Sequence, residues 1–270
     1  MTMAASAGQN AASQPADTAL VNRALAAELN AAQDTNHPMR YLLRKSSPRL
    51  TSTKEIVETR DGAVALLVAI DDKALGEVEA ESERARLDAL LADPGRQRHR
   101  KQTQDDDTGR ALKVLRALPK ALIYRYAGPV ETDSGTLQKF TFSPNPRFNA
   151  ADLETLALTA LSGDILIDPD HARVVRLEGH LQQDVDFGWG ILGRLNKGGW
   201  IVIEQAAVGE GQWRVVRFKM VMSGRVLFRT RSFDTTEEES QFARVPVALR
   251  YQQAIQMMRA GHEGAGSEGR

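Results

Sequence analysis

From Pro119 to Phe233 the chain is a succession of short β-branched, aromatic and aliphatic runs: ALIYRYA, TLQKFTF, GDILID, RVVRLEGHL, WIVIEQ, WRVVRFKMV and RVLFRTRSF. Turn signals stand between them at Asp133-Ser134-Gly135, Pro144-Asn145-Pro146, Asp168-Pro169-Asp170, Lys197-Gly198-Gly199 and Ser223-Gly224. Parallel neighbours need a crossover of roughly a dozen residues, whereas hairpins need only a few. The spacing therefore predicts an antiparallel sheet. One helical segment interrupts it over about residues 152–161, where Leu153, Leu156, Ala157 and Ala160 recur at helical spacing.

Upstream the period changes twice. Residues 1–16 are low in complexity and predict disorder. Asp17 or Thr18 can cap a helix with Leu20, Val21, Leu25 and Leu29 on its apolar side, ending near Ala32. MRYLLRK, LTSTKEIVETR and AVALLVAI, within residues 39–70, predict strands, with Asp61-Gly62 as a two-residue hairpin signal. Residues 73–118 predict a helical insertion. Within it the basic-then-acidic block of residues 93–109 predicts a solvated connection. Residues 17–250 predict a single domain, and residues 251–270 a short helix and a disordered tail.

Composition removes several classes of function. Lys+Arg and Asp+Glu are equal at 35 each, so no overall field draws the chain to nucleic acid. There is no cysteine, hence no disulfide, thiolate nucleophile or Cys-type zinc site. No apolar run approaches the roughly 20 residues of a membrane helix, and the N-terminal stretch has neither the basic nor the apolar part of an export signal.

Gly188-x-Gly190-x-x-Gly193 has the lettering of a dinucleotide turn, but a new strand begins at Trp200 and leaves no room for the required helix. Glycine in such a setting bends a sheet. The segment is read as a bent crossover carrying Phe187, Trp189, Ile191, Leu195 and Trp200. His37, His99, His171, His180 and His262 show no metal-binding spacing. Alternation in VVRLEGHL puts Val175, Leu177 and Leu181 on one face, with Arg176, Glu178 and His180 on the solvent face. An acid–base role for His180 with Asp184 or Asp186 is the sole enzymatic reading.

Reading Met222-Ser223-Gly224 as a three-residue hairpin loop with left-handed Gly224 sets Met220 opposite Val226, Phe218 opposite Phe228 and Val216 opposite Thr230. One face is then apolar. The other carries Arg217, Lys219, Arg225 and Arg229, which calls for acids such as Asp164, Asp168 or Glu204, or for an anionic partner. Phe187, Trp189, Trp200, Phe218, Met220 and Phe228 either fill an ordinary core or line an adaptable apolar cavity.

The block LTALSGDILIDPDHARVVRLEGHL, with the bent aromatic segment, WIVIEQ and WRVVRFKMVMSGRVLF after it, resembles the outer-membrane lipoprotein-sorting (LolA/LolB-like) group of bacterial envelope proteins. Its G-D-I-x-I-D strand is Gly163 to Asp168, and its V-x-R-L-x-G-x-L strand is Val174 to Leu181. The resemblance covers about residues 120–235, and no individual functional residue carries over. It implies an α+β fold, a curved antiparallel β-sheet or incomplete β-barrel with helices covering its concave face. It also implies a non-enzymatic role in binding a lipid or lipoprotein acyl chain, with envelope proteins as partners, without cofactor, metal or nucleic acid. The implied place is the periplasm or cell envelope, with the cytoplasm as the alternative in the absence of an export signal. The alternative function is a structural or protein-interaction module with a filled core.

Overall fold

The computed structural model describes residues 14–133, 135–187, 193–226 and 229–267. The chain is α+β, with antiparallel strands over residues 73–74 (β4), 64–70 (β3), 51–57 (β2), 39–46 (β1), 229–244 (β13), 212–226 (β12), 200–209 (β11), 173–181 (β8), 161–168 (β7), 135–144 (β6) and 122–132 (β5), in that order across the sheet. The order is open, ending on β4 and β5. Among the described residues no helix is long and apolar enough to cross a membrane. The chain forms two compact units. The first comprises Met1–Ala31, Lys113–Val202 and Ser223–Arg231; the second comprises Ala32–Leu112, Ile203–Met222 and Ser232–Arg270.

In the first unit α1 (Gln14–Ala32) begins before Asp17, so Asp17 and Thr18 lie inside the helix and residues 14–16 are helical. Its buried face is Val21, Ala24, Leu25 and Glu28, one residue off the expected stripe at its far end, where Leu29 is half-buried. These side chains pack on the meander of β5 (Leu122–Thr132), β6 (Gly135–Pro144), β7 (Leu161–Asp168) and β8 (Arg173–Leu181). Phe140, Ile165 and Ile167 are essentially solvent-free there. Each contributes about 1.5–3 kcal/mol by leaving water. The helix expected at 152–161 is a single turn, α4 (Leu153–Leu156), extended by a 3₁₀ turn and capped by Asp152, whose Oδ1 accepts from Thr155 N at 3.0 Å.

The β8 bounds are those predicted, and Leu177 and Leu181 face the core as expected, but Val175 does not. Leu166 pairs with Arg176 and Ile167 with Val174, which leaves Val175 as the extra residue of a bulge. The bulge reverses the alternation, so Val174 rather than Val175 enters the core. Gly163 and Gly179 face each other where β7 and β8 approach closely: a Cβ on Gly163 would lie 1.9 Å from the Glu178 carbonyl oxygen. Across α1 and β8, Glu28 takes Arg173 in two bonds of 2.9 Å and also accepts from Val174 N.

In the second unit β1 (Met39–Ser46), β2 (Thr51–Val57), β3 (Val64–Ile70) and the short β4 (Lys73–Ala74) pair in sequence. The β2–β3 connection is six residues rather than a two-residue turn, since Val57 pairs with Val64. Gly62 takes φ +95 within it, and its N–H donates to Thr59 O. The block expected to be a solvated connection is helical: α2 (Glu77–Ala92) is followed by α3 (Pro94–Ala121). Asp93-Pro94 is a helix start, with Asp93 Oδ1 accepting from Gly95 N at 2.9 Å and proline in the first turn, where its missing donor costs nothing. The charge blocks then fall at helical spacing, as in the Lys101–Asp105 pair at 2.6 Å.

These helices also cover the outer edge of β3. Glu83 accepts from Leu67 N at 2.7 Å, Arg86 donates to Ala65 O, and the Gln104 amide bonds Ala63 through both its groups. An open edge is a template for aggregation, and here side chains stand in for a neighbouring strand. Val57, Val64 and Leu66 pack against Leu87 and Leu90 of α2 and against Tyr251, Ile255 and Met258 of α5 (Tyr251–Ser267). Residues 261–267, expected in a disordered tail, belong to that helix.

Candidate functional site

Of the six expected site residues, Trp189 and Phe228 lie outside the described residues. Phe187 on β9 (Val185–Phe187) and Trp200 at the start of β11 (Trp200–Gly209) belong to the first unit; Phe218 and Met220 on β12 (Gln212–Val226) belong to the second. All four are half-buried, and none is a member of either core cluster. Phe187 pairs with Gly193 of β10 (Gly193–Leu195), where the ring lies so close that a Cβ on Gly193 would sit 2.0 Å from it. The antiparallel β9–β10 pair encloses only residues 188–192, too few for the crossover of a dinucleotide fold.

The expected hairpin loop at Met222-Ser223-Gly224 is not a loop. β12 continues through it to Val226, Gly224 pairs with Leu195 of β10, and its φ is not positive. Its lack of a side chain serves close approach instead, since a Cβ would meet Arg194 O at 2.4 Å. The proposed register of Phe218 with Phe228 and Met220 with Val226 is therefore withdrawn. The preceding turn, Glu210-Gly211, has positive φ at both residues and matches the tight hairpin type.

Ion pairs fix which side chains share a face in the second unit. Arg44 bonds Glu238 of β13 (Arg229–Arg244) at 3.0 Å, and Arg217 approaches Glu238 at 3.5 Å and Glu204 at 3.9 Å. On the opposite face Lys45 bonds Glu237 at 2.7 Å, and Leu43 stands opposite Glu239. By alternation Arg214, Val216, Phe218 and Met220 lie on this second face, with Tyr41 and Leu43. Apart from Ile56, the apolar side chains here are half-buried rather than sealed. Tyr41 stacks on Phe242 with ring centroids 5.5 Å apart.

Acids punctuate this apolar face. Glu58 accepts from Met39 N at 2.8 Å and from Arg214 at 3.3 Å, while Arg214 also donates to His37 O at 2.7 Å. Glu239 has no hydrogen-bonding side chain among the described residues. Burial, then repulsion from Glu237 and Glu58, raises its carboxyl to about 7, against a partial lowering by Arg214. Burial, followed by the negative charge of Glu239, also holds the proton on the Tyr41 hydroxyl well above its ordinary range. Below about pH 7 the face thus offers two uncharged donors among apolar side chains. The sequence reading missed Tyr41, Leu43, Arg214 and Glu239. The one local signal was an acid in the middle of an alternating strand, inside the run Glu237-Glu238-Glu239.

The remaining candidates are accounted for by their partners. His180 is exposed and bonds Glu178 at 3.1 Å, whereas Asp184 and Asp186 are held by Arg194 at 3.1 and 2.6 Å. The His180 constellation with Asp184 or Asp186 is therefore not assembled. Asp164 pairs with Lys139 and Asp168 with His171, while Glu204 approaches Arg217 of the expected basic face. A cavity of about 180 Å³ in the first unit is lined by the paired charges of Lys139, Asp164, Arg176 and Glu178. Another of about 300 Å³ is lined by Lys113, Arg116, Phe148 and Asp152, among others. Among the described residues, Phe187, Trp200, Phe218 and Met220 line neither cavity.

No family model matches the chain, and no curated protein matches it in sequence. Among solved structures, a Vibrio parahaemolyticus domain, whose name as an outer membrane lipoprotein-sorting protein domain is itself an inference, aligns at 10 % identity and a TM-score of 0.33. The alignment covers 86 % of this chain and 96 % of that one. At that level of likeness, the fold rests on the strand order described above.

Proposed function

We propose that this chain is a non-catalytic binding protein that holds a lipid or lipoprotein acyl chain on the Phe218–Met220 face of its second unit. The observation that carries the reading is the half-burial of Tyr41, Leu43, Phe218 and Met220, large apolar side chains that belong to neither core. A filled-core module would bury such residues as thoroughly as Phe140 or Ile255. Flexible methionine and flat aromatic rings on a sheet face suit a chain of variable conformation. The resemblance of the β7–β8 strands to the sorting group supports the same ligand class, and with it a place in the periplasm or cell envelope among envelope proteins.

Native mass spectrometry of the purified protein, followed by denaturing extraction and lipid analysis, tests the proposal. The expected result is a stoichiometric acyl-bearing molecule that is lost in Phe218→Asp/Met220→Asp. Protein that stays bare after incubation with a monoacylglycerol would leave the interaction module in its place.

A further inference from the structure

We infer that the open edge of the first unit's strands, residues Leu122–Tyr126 of β5, is a contact surface for a second copy of this chain, paired antiparallel, β5 to β5, about a twofold axis at Tyr124. The inference is independent of the acyl reading. It starts from the unlike ends of the strand order. Beside β3, side chains of Glu83, Arg86 and Gln104 occupy backbone groups that a neighbouring strand would take, and β4 is only two residues long. At the other end β5 runs for eleven residues with no such cover among the described residues. Which of its groups face outward follows from the ladder. Asn145 N donates to Ala121 O at 2.8 Å, and bonded and non-bonded pairs alternate along antiparallel strands. Leu122–Pro144, Tyr124–Phe142 and Tyr126–Phe140 are then the non-bonded pairs, in keeping with the missing N–H of Pro144. Tyr124 and Tyr126 therefore turn their N–H and C=O away from β6, and none of these four groups is hydrogen-bonded among the described residues.

The same five residues carry uncovered apolar surface. Ile123 is 40 % exposed and Tyr126 43 %, although the Tyr126 ring packs on core Phe140 with centroids 5.4 Å apart. The open stretch is bounded at both ends. α3 runs directly into it, and beyond Tyr126 the extra residue Ala127 makes a bulge, Gly128 takes φ +99 and Pro129 has no N–H to offer. A window centred on Tyr124 is its own complement in antiparallel pairing, as an isologous contact demands. Tyr124 would bond its counterpart in both directions, and Tyr126 N–H would reach the Leu122 carbonyl of the second copy. Arg125, the only charge in the window, would lie opposite Ile123 rather than another Arg125. Each copy would cover the other's Ile123 and Tyr126. So short a pairing falls below a standard interface, which makes the dimer weak and dependent on concentration.

Sedimentation velocity of the whole chain from about 5 µM to about 500 µM reads the association. The expected result is a mass that rises from 29.7 kDa towards twice that value over the range. Ile123→Lys sets a lysine opposite Arg125 at both ends of the pairing and should leave a monomer throughout. Ile123→Glu sets a carboxylate there and should move association to lower concentration by about threefold or more, an effect that salt removes. Both substitutions fall on an exposed side chain, and unchanged thermal melts check that the fold is kept. Because the chain has no cysteine, Ile123→Cys/Arg125→Cys reports the register. Opposed non-bonded residues stand about 4.5 Å apart at Cα, so oxidation should give a covalent dimer, whereas Ile123→Cys alone, with its two thiols out of register, should not. A monomer at every concentration overturns the inference and leaves the edge to a strand of another protein. A dimer that Ile123→Lys leaves intact, or one that Ile123→Cys alone cross-links equally well, also overturns it.

Discussion

Replacing Glu239 by glutamine should stabilise the protein, by an amount that depends on pH. In the folded chain the Glu239 carboxyl titrates near 7 rather than its usual 4.5. The folded state therefore holds this proton more tightly than the unfolded state. Its contribution to stability is complete below pH 4.5 and is lost as the pH rises to about 7. At about 1.4 kcal/mol for each pH unit between those limits, the full loss is about 3 kcal/mol. Residual solvent contact reduces it to about 2 kcal/mol. Glu239→Gln removes the ionisation and should match the natural protein near pH 4.5. Near pH 8 it should melt about 4–8 °C higher, at about 2–4 °C per kcal/mol for a chain of this size. Thermal melts of both proteins by circular dichroism across that range give the difference directly. A difference that stays flat with pH, or that favours the natural protein at pH 8, would refute the burial of this acid.

Four other substitutions probe the packing within the two units. Glu28→Ala removes both of its bonds to Arg173, whose side chain is 12 % exposed, and the acceptor of the buried Val174 N; it should cost about 2–3 kcal/mol in chemical denaturation. Gly163→Ala forces a methyl group to within 1.9 Å of the Glu178 carbonyl and should destabilise by about 3 kcal/mol or more. Gly109→Ala, in α3 with nothing within 4 Å of the added carbon, should instead raise stability by about 0.5–1 kcal/mol in the same assay. Glu83→Ala exposes Leu67 N on the edge of β3 and should increase aggregation, followed by light scattering at mild temperature.

The strands were legible because alternation and turn residues are local. RVVRLEGHL is a strand with the bounds its letters suggest, and Trp200 begins another. Local signals failed where a distant partner decided the outcome. Gly224 reads as a turn residue, yet β10 pairs alongside it and needs the space that a side chain would occupy. Val175 fits the buried face by parity until the bulge against β7 reverses it. The block of bases and acids after Asp93 looked solvated because charge runs usually are, but helical spacing joins Lys101 to Asp105, while Gln97 and Gln104 turn inward to the β2–β3 connection. The apolar half of the candidate face, Phe218 and Met220, was visible as an alternating stripe. Glu239 was not, because its character comes from burial, from Glu237 two residues before it, and from Arg214 and Glu58, which other elements bring near it.

The central claim, that an acyl chain lies on the Met220 face and not inside a core, is tested most directly by methyl NMR on protein labelled at its seven methionines. Met220→Leu assigns the signal of interest, and Met39 and Met258, 2 % and 1 % exposed, serve as internal references. Titration with monododecanoylglycerol should move the Met220 methyl resonance saturably at one equivalent while Met39 and Met258 stay in place. A Met220 signal that does not move, or a shift confined to Met39 and Met258, would contradict the account.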